Sequence, residues 1–473
     1  MPINSFLYPA PSTPSFGYDV ANSLRTNKSD QPRGVVTQGT PTNVDKYTFS
    51  VWVKRADIGA SNSKIFSVSS GSTYGEEKLE FNNDDLIWRH TQASDGETVW
   101  ERVTDRKFRD PSAWYNIIVA YDSSQGTAAN RCKMYINGVE ETSFSSSSNP
   151  SSGLDSYTNT SSRDFKFFTF HENSNTNQDA TAYFAELVYI DGQQLDQTSF
   201  GEFDSGSPNI WKPIDVSGLT FGNNGFYLDF EDSSALGNDA AGSNNFTVNN
   251  LTAVDQSTDT CTNNFATSNP LIDSGTGYSQ GNLDLSFGNG SQDNAGGTFG
   301  VSKGKWYWEH KIISSGNTHY LGIKSADSDL TSTSGATGTP SMYYSNAGNK
   351  VYNSSSGGSS YGSTFTDNDI IGIALDLDNN AIWFSKNGSW QNSATQSEIE
   401  TGTTTNAAFS GTGSSNGFPS EQVYLPWIVG QTGGAAFTMT TNFGSPTFSI
   451  SSGNADGNGY GNFEYSVPSG YYA

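Results

Sequence analysis

Between residues 132 and 144 the chain reads CKMYI, then Asn137-Gly138, then VEETSF. Asn-Gly between two strand-like runs is the strongest short-range hairpin signal, because both residues tolerate the positive φ of a type I′ turn. The same grammar recurs. In YTFSVWVK (47–54), Tyr47, Phe49, Val51 and Val53 alternate with Thr48, Ser50, Trp52 and Lys54, the period-two pattern of a half-buried strand. WYNIIVAY (114–121) reads likewise, and TAYFAELVYI (181–190) ends at a second turn signal, Asp191-Gly192. Strand-like runs resume at 305–313, 320–323, 369–376, 381–386, 423–429 and 435–441, with Asn387-Gly388 as a further turn. Several short strands punctuated by turns predict sandwiches or barrels.

Composition agrees. The 473 residues include 50 Gly and only 4 Met, which disfavours helical bundles, while 13% aromatics argue against disorder. The formal charge is −24, so phosphate backbones are repelled and nucleic acid is not an expected partner. The charge is uneven: residues 1–212 hold 18 basic and 26 acidic side chains, residues 213–473 hold 6 and 22, and no arginine follows Arg163. Cys132 and Cys261, read as lying in different units, make a disulfide framework improbable. No apolar run approaches a membrane span, so no membrane insertion is expected. The opening, MPINSFLYPAPSTPSFGYDV, lacks the basic and apolar regions of a signal peptide.

The expected architecture is all-β: two antiparallel β-sandwich (jelly-roll) domains joined by a packed connector. An extended N-terminal arm covers 1–40, with Pro2, Pro9, Pro11 and Pro14; the first sandwich covers 41–205, the connector 206–275, and the second sandwich with a C-terminal tail 276–473. The connector is expected to carry one or two strands and to bury Trp211, Phe221, Phe226, Tyr227, Phe230 and Phe246, which would be a liability if exposed. Tracts 325–338 and 393–417, rich in Ser, Thr, Gly and Asn, are expected as long surface loops.

Several segments are familiar. YTFSVWVKR (47–55), FRDPSAWYNIIVAYD (108–122), NRCKMYINGV (130–139) and AELVYIDGQQL (185–195) resemble a concanavalin A-like, laminin G-type jelly roll. GKWYWEHKI (304–312), YLGIKSAD (320–327), IIGIALDLDNNAIWFSKNGSW (370–390) and YLPWIVG (424–430) resemble a SPRY domain. Residues 221–267 resemble a linker of large tail proteins of tailed bacteriophages, often marine ones, and NSLRTNKSD near the start and GYGNFEYSVPSGYYA at the end match that arrangement. The resemblance implies a non-enzymatic virion-surface protein, assembled in the host cytoplasm: a tail fibre or tail-associated adhesin for host-surface recognition, or alternatively a capsid decoration or head-fibre protein. Its implied partners are other virion proteins, through the N-terminal arm, and a host surface glycan or protein, with a homo-oligomer in the particle. No heptads or shaft repeats of a full fibre are visible.

Chemistry-bearing motifs are sparse. Glucan-cleaving jelly rolls carry Glu-x-Asp-x-x-Glu on one strand, so that one carboxyl protonates the glycosidic oxygen and another attacks the anomeric carbon. Here Glu76-Glu77-x-x-Glu80 and Asp229-Phe230-Glu231-Asp232 lack that spacing, and Glu186 and Asp191 would point to opposite faces. Catalysis is therefore not expected, and a glycan-active enzyme is the weakest alternative. Asp376-Leu377-Asp378-Asn379-Asn380 mimics the opening of a calcium loop but lacks its later ligands, and reads as a hairpin turn. His90, His171, His310 and His319 show no metal-binding spacing; no metal or cofactor is expected. The remaining candidates are ligand contacts through aromatic side chains: Trp88 and Trp100 in the first domain, and Tyr343, Tyr344, Tyr352 and Tyr361 in the long loops of the second. Packing under those loops is the competing explanation.

Overall fold

The computed structural model describes residues 17–473 apart from short segments at 72–73, 170–178, 273–274, 289–292, 317, 331–339, 354–356, 414–415 and 431–435. The four arm prolines, His171 and most of tract 325–338 lie outside the described residues. Nearly all regular structure is antiparallel strand, and one α-helix, Gln396–Thr401, occurs among the described residues. None of their helices is long and apolar enough to cross a membrane. The chain divides into two compact units, one ending at Asn264 and the other resuming at Phe265.

The first unit pairs two sheets. One runs Val139–Glu140, Cys132–Ile136, Trp114–Asp122, Lys46–Arg55, Ala182–Asp191, Ser23–Arg25 and Gln256–Ser257, with Phe226–Leu228 added beside Ala182–Asp191. The other runs Phe144–Ser148, Thr98–Thr104, Asp85–Thr91, Glu76–Asn82, Ser63–Ser69, Asp164–Phe167, Arg33–Thr37 and Thr247–Asn249. Between them, Tyr47, Phe49 and Val51 meet Phe66, Leu79 and Trp88 in one core. The expected turn is present, with φ of 48° at Asn137 and 76° at Gly138. Glycine is needed there twice over, because a Cβ at 138 would stand 2.2 Å from the Trp211 ring. The strand after the turn stops at Glu140, and the chain crosses to the other sheet at Phe144.

Four expectations are corrected. Ser23–Arg25 and Arg33–Thr37, assigned to an extended arm, are strands built into the two sheets. The 206–275 connector is not a separate layer: Phe226–Leu228, Thr247–Asn249 and Gln256–Ser257 extend the sheets of the first unit, which closes at Asn264. Its aromatics are largely buried, as expected. Lys46–Arg55 is buried on both faces instead of half-buried: on the outer face Trp52 packs with Val20, Trp114, Tyr183 and Trp211, and Thr48 hydrogen-bonds Gln193 and Leu195. Cys132 and Cys261 consequently lie in the same unit, both as free thiols.

A sealed ion pair locks the connector down. Lys54 Nζ lies 2.8 Å from Asp259 Oδ2, with both side chains at most 2% exposed. The Asn264 side-chain oxygen accepts from the same ammonium at 2.8 Å, and Trp114 Nε1 donates to the other Asp259 oxygen at 3.1 Å. Burial pulls the Lys54 pKa down, with Asp259 opposing it.

In the second unit one sheet is ordered Gly277–Ser279, Asp284–Phe287, Phe437–Asn442, Lys305–Ser314, Ile370–Asp376, Ala381–Lys386 and Ser389–Trp390. The other is ordered Asn294–Gly296, Tyr424–Gly430, His319–Ser325, Ser341–Ser345, Asn349–Tyr352 and Ser359–Ser360. Asp376 closes the turn expected at 376–380, accepting from the backbone of Asp378 and Asn379 at 3.0 and 2.9 Å. The C-terminal tail docks on Lys305–Ser314 through buried Glu309, which accepts from the amides of Glu464 and Tyr465 at 3.0 and 2.9 Å.

Asp259→Ala leaves Lys54 buried and unpaired, so it should cost the first unit about 3–5 kcal/mol. Urea unfolding checks this, and Lys54→Met with Asp259→Leu should recover most of the loss, since the pair is then replaced by apolar packing.

Candidate functional site

Glu77, on Glu76–Asn82, points into the core of the first unit and is fully buried. One oxygen accepts from the Tyr47 hydroxyl. The other accepts from Ser156 Oγ at 2.9 Å and from the amides of Tyr157 and Thr158 at 2.9 and 3.4 Å, with His90 Nδ1 at 3.4 Å. Burial alone would raise this carboxyl; His90, Tyr47 and Ser156 outweigh it and hold the pKa below the ordinary value. The carboxylate thus gathers the 3₁₀ turn Tyr157–Asn159. The Tyr157 ring lies 4.1 Å from the His90 ring, and the Arg163 guanidinium lies 4.4 Å above it. Arg163 Nη1 donates to Ser69 O at 2.8 Å, spanning to the end of Ser63–Ser69.

These contacts shape a cleft of about 300 Å³ lined by residues 69–71, residues 160–164 and Lys166. Five of the lining side chains are hydroxyls: Ser69, Ser70, Thr160, Ser161 and Ser162. Thr160 Oγ1 donates to Ser156 O at 2.6 Å, and Ser162 holds a left-handed φ of 62°, which turns the chain into Asp164–Phe167. Asp164 accepts from Thr37 Oγ1 at 2.6 Å. The Arg163 Nε is buried without a partner among the described residues, and burial lowers the pKa of this guanidinium.

Beside the cleft, the sheet face turned away from the core is charged but neutralised. Lys64 pairs with Glu80 and with Glu76 at 3.5 Å, and Lys78 pairs with Glu76 and Glu80 at 3.3 and 3.0 Å. Arg89 and Glu101 pair at 2.8 Å. Of the acidic run 76–80, Glu77 therefore faces the core while Glu76 and Glu80 face outward.

The aromatic candidates are placed elsewhere than expected. Trp88 and Trp100 are core residues, ring centroids 4.8 Å apart, with no face open to a ligand. Tyr343, Tyr344 and Tyr352 lie on strands, not loops. Tyr343 packs beside Trp427, and Tyr344 packs beside Tyr361 and Phe384 while donating to Ser363 O. Tyr361 is buried, and the half-buried Tyr352 ties its hydroxyl to Gly417 O at 3.0 Å. Their alternation with small polar residues conceals strands that bury aromatics on both faces. Arg163 and Lys166 escape sequence reasoning; the available signal was a hydroxyl-rich run, TNTSSRDFK (158–166), holding the last arginine of an acidic chain.

Glu186 is the other unusual acid. It sits at a β-bulge, where the pairing of Ala182–Asp191 with Lys46–Arg55 slips between Ala185 and Val188, and its φ is 50°. The Tyr227 hydroxyl bonds both carboxyl oxygens, at 2.8 and 2.9 Å, and the Tyr18 hydroxyl reaches one at 3.1 Å. Burial raises its pKa to about 7, the two tyrosines opposing and Asp229 and Glu231 adding to it. At 5% exposure with both oxygens engaged, Glu186 serves as a clasp holding the N-terminal segment and connector to the sheet. Asp191 is occupied elsewhere, accepting from Asn159 Nδ2 and the Thr42 amide at 2.7 Å each.

The chain is thus a β-sandwich bearing a hydroxyl-lined cleft, followed in sequence by a second β-sandwich. Residues 30–171 match the family model described as the concanavalin A-like lectin/glucanases superfamily, and residues 305–415 match the SPRY domain. The chain therefore carries both domains. An 89-residue stretch is 35% identical to the Ran-binding proteins 9/10 homolog of Drosophila melanogaster, covering 18% of this chain and 9% of that protein, so the chain spans under a tenth of this curated relative. Among solved structures, the SPRY domain of human HERC1 is 17% identical, with 37% of this chain and 96% of that one covered at a TM-score of 0.28. Domains LG4-5 of the mouse laminin alpha1 chain are 10% identical over 92% of this chain and 87% of that one, TM-score 0.29. A SAP-like pentraxin from Limulus polyphemus is 11% identical over 49% and 94%, TM-score 0.29.

Trp100→Ala should cost about 3–5 kcal/mol of stability, read as a lowered urea midpoint, because it empties a core site. A pH series tests Glu186. Between about pH 4.5 and 7 the folded chain keeps a proton that the unfolded chain releases, so this group's contribution is complete below 4.5 and is lost as pH rises through 7. Glu186→Gln removes that dependence; relative to wild type its stability should improve by about 3 kcal/mol between pH 4 and pH 8.

Proposed function

We propose that this chain is a non-enzymatic surface protein of a tailed-bacteriophage virion, a tail fibre or tail-associated adhesin whose first sandwich binds host-surface glycan. The observation that carries the binding reading is the cleft beside Arg163, where hydroxyls converge with cations in a domain that matches a lectin superfamily. Sugars are recognised by such convergent polar groups held on a rigid scaffold. The virion reading is supported by the resemblance of residues 221–267 to the phage tail linker.

A binding role is also the ordinary use of these two domain types. The superfamily name includes glucanases, but paired carboxyls are what glycoside cleavage needs. Glu186 is engaged at both oxygens by tyrosine hydroxyls, and Glu76 and Glu80 are held by lysines. Neighbouring virion proteins and further copies of this chain are its proposed partners in the particle.

Mass spectrometry of purified virions should detect the chain, and cryo-electron microscopy of intact particles should place its density on the tail. Density on the capsid lattice would reassign it to shell decoration. Absence from purified particles would sink the virion reading altogether.

A further inference from the structure

Buried cations in the first unit have their partners at hand: Lys54 has Asp259, Arg55 has Asp84, Lys64 has Glu80, and Arg102 donates to Ser148 O and Asn149 Oδ1. Lys166 departs from this pattern. It is 9% exposed and lines the cleft, yet no carboxylate pairs with it among the described residues. Among the described residues Arg163, also lining the cleft, is committed to the Ser69 carbonyl and the face of Tyr157. The anion in the lining, Asp164, already takes the Thr37 hydroxyl. The described lining therefore carries one net positive charge, in a protein with 48 acidic and 24 basic side chains.

Two cations facing one cleft whose single carboxylate is already engaged favour an anion as ligand, because a partly buried charge is better paired than left to itself. Arg offers a planar fork and Lys a point charge, a combination suited to a carboxylate or sulfate group. The hydroxyls at 69, 160, 161 and 162 both donate and accept, which matches the hydroxyls of a sugar ring. Among the described residues no aromatic side chain lines the cleft, so a neutral sugar would find no stacking face in that lining. At about 300 Å³ the space is at the lower end for small-molecule sites and suits one saccharide unit.

We propose that this cleft is a subsite for an acidic saccharide unit, bearing a carboxylate or sulfate, and that Arg163 and Lys166 hold its anionic group. The proposal rests on the glycan-binding reading above and narrows it to a ligand class. The proposal assigns recognition to protein cations, which makes it independent of any metal ion.

Isothermal titration of the full chain tests it, with an oligogalacturonate, a sulfated galactan oligosaccharide, the desulfated form of the latter, and sodium sulfate as probes. At least one acidic saccharide should bind at least about tenfold more tightly than the neutral one, unaffected by EDTA, and the two acidic arms identify the anionic group. Lys166→Gln should weaken that binding about tenfold, Lys166→Arg should restore it, and Lys133→Gln, a surface control paired with Glu140, should leave it intact. Melting curves confirm that each variant is folded. Undiminished binding by folded Lys166→Gln overturns the proposal, as does loss of binding in EDTA or equal competition by sulfate ion. Should the neutral saccharide bind alone, the acidic subsite fails while glycan recognition stands; if no saccharide binds, both fail.

Discussion

A carboxylate that solvent does not reach organises the side of the first sandwich where the cleft lies. Glu77 is buried in a core of aromatic rings, where an unpartnered charge would cost several kcal/mol. Its partners come from three places in the chain: Tyr47 on one sheet, His90 on the neighbouring strand, and the 156–158 turn. The need to satisfy one charge pins that turn. The pinned turn fixes Tyr157, and Tyr157 with Ser69 fixes Arg163. A surface cation is thus positioned by a charge in the core.

Two other polar fastenings bind the connector to the same sandwich, and they differ in kind. Lys54 and Asp259 form an ion pair closed off from solvent, supported by Asn264 and Trp114. Glu186 is instead favoured in its neutral form, because burial and nearby carboxylates disfavour its charge. The bulge that places Glu186 also shifts the phase of its strand. Phe184 faces the core before it, and Leu187 and Tyr189 face the core after it, so one inserted residue keeps both faces of a fully buried strand packed. Connector and sheet are consequently one unit energetically, and a change at either fastening is felt as lost stability of the whole sandwich.

Charge placement separates structural from exposed chemistry. On the outer face of the second sheet, lysines and glutamates cancel at 3.0–3.5 Å. Cancelled charges of this sort attract little at a distance, since partners and salt screen them. The cleft is the neighbouring place where cations outnumber carboxylates. A generally acidic surface keeps unrelated polyanions away, and a local positive cleft within it admits an anion small enough to enter.

Much of this was legible in the residues. Cys132–Ile136 and Ala381–Lys386 were read with the bounds the structure gives, and their Asn-Gly turns follow from the positive φ only such residues adopt without strain. The all-β class followed from alternation and composition. The sheet made of Ser63–Ser69, Glu76–Asn82, Asp85–Thr91 and Thr98–Thr104 was not read, although Leu79 and Phe81 alternate with Lys78 and Glu80; its runs are short and rich in charge, and their pairing is decided by the tertiary fold. Nor were Ser341–Ser345 and Asn349–Tyr352, short tyrosine strands set among serines and asparagines. Local sequence determined where strands turn and what kind of fold they make, because φ preferences and period-two burial act between near neighbours. Only the tertiary structure decided that Trp88 and Trp100 are core, that the connector completes the first sandwich, and that Arg163 and Lys166 share a cleft. Those outcomes depend on which distant segments satisfy a buried charge, and no local pattern carries that information.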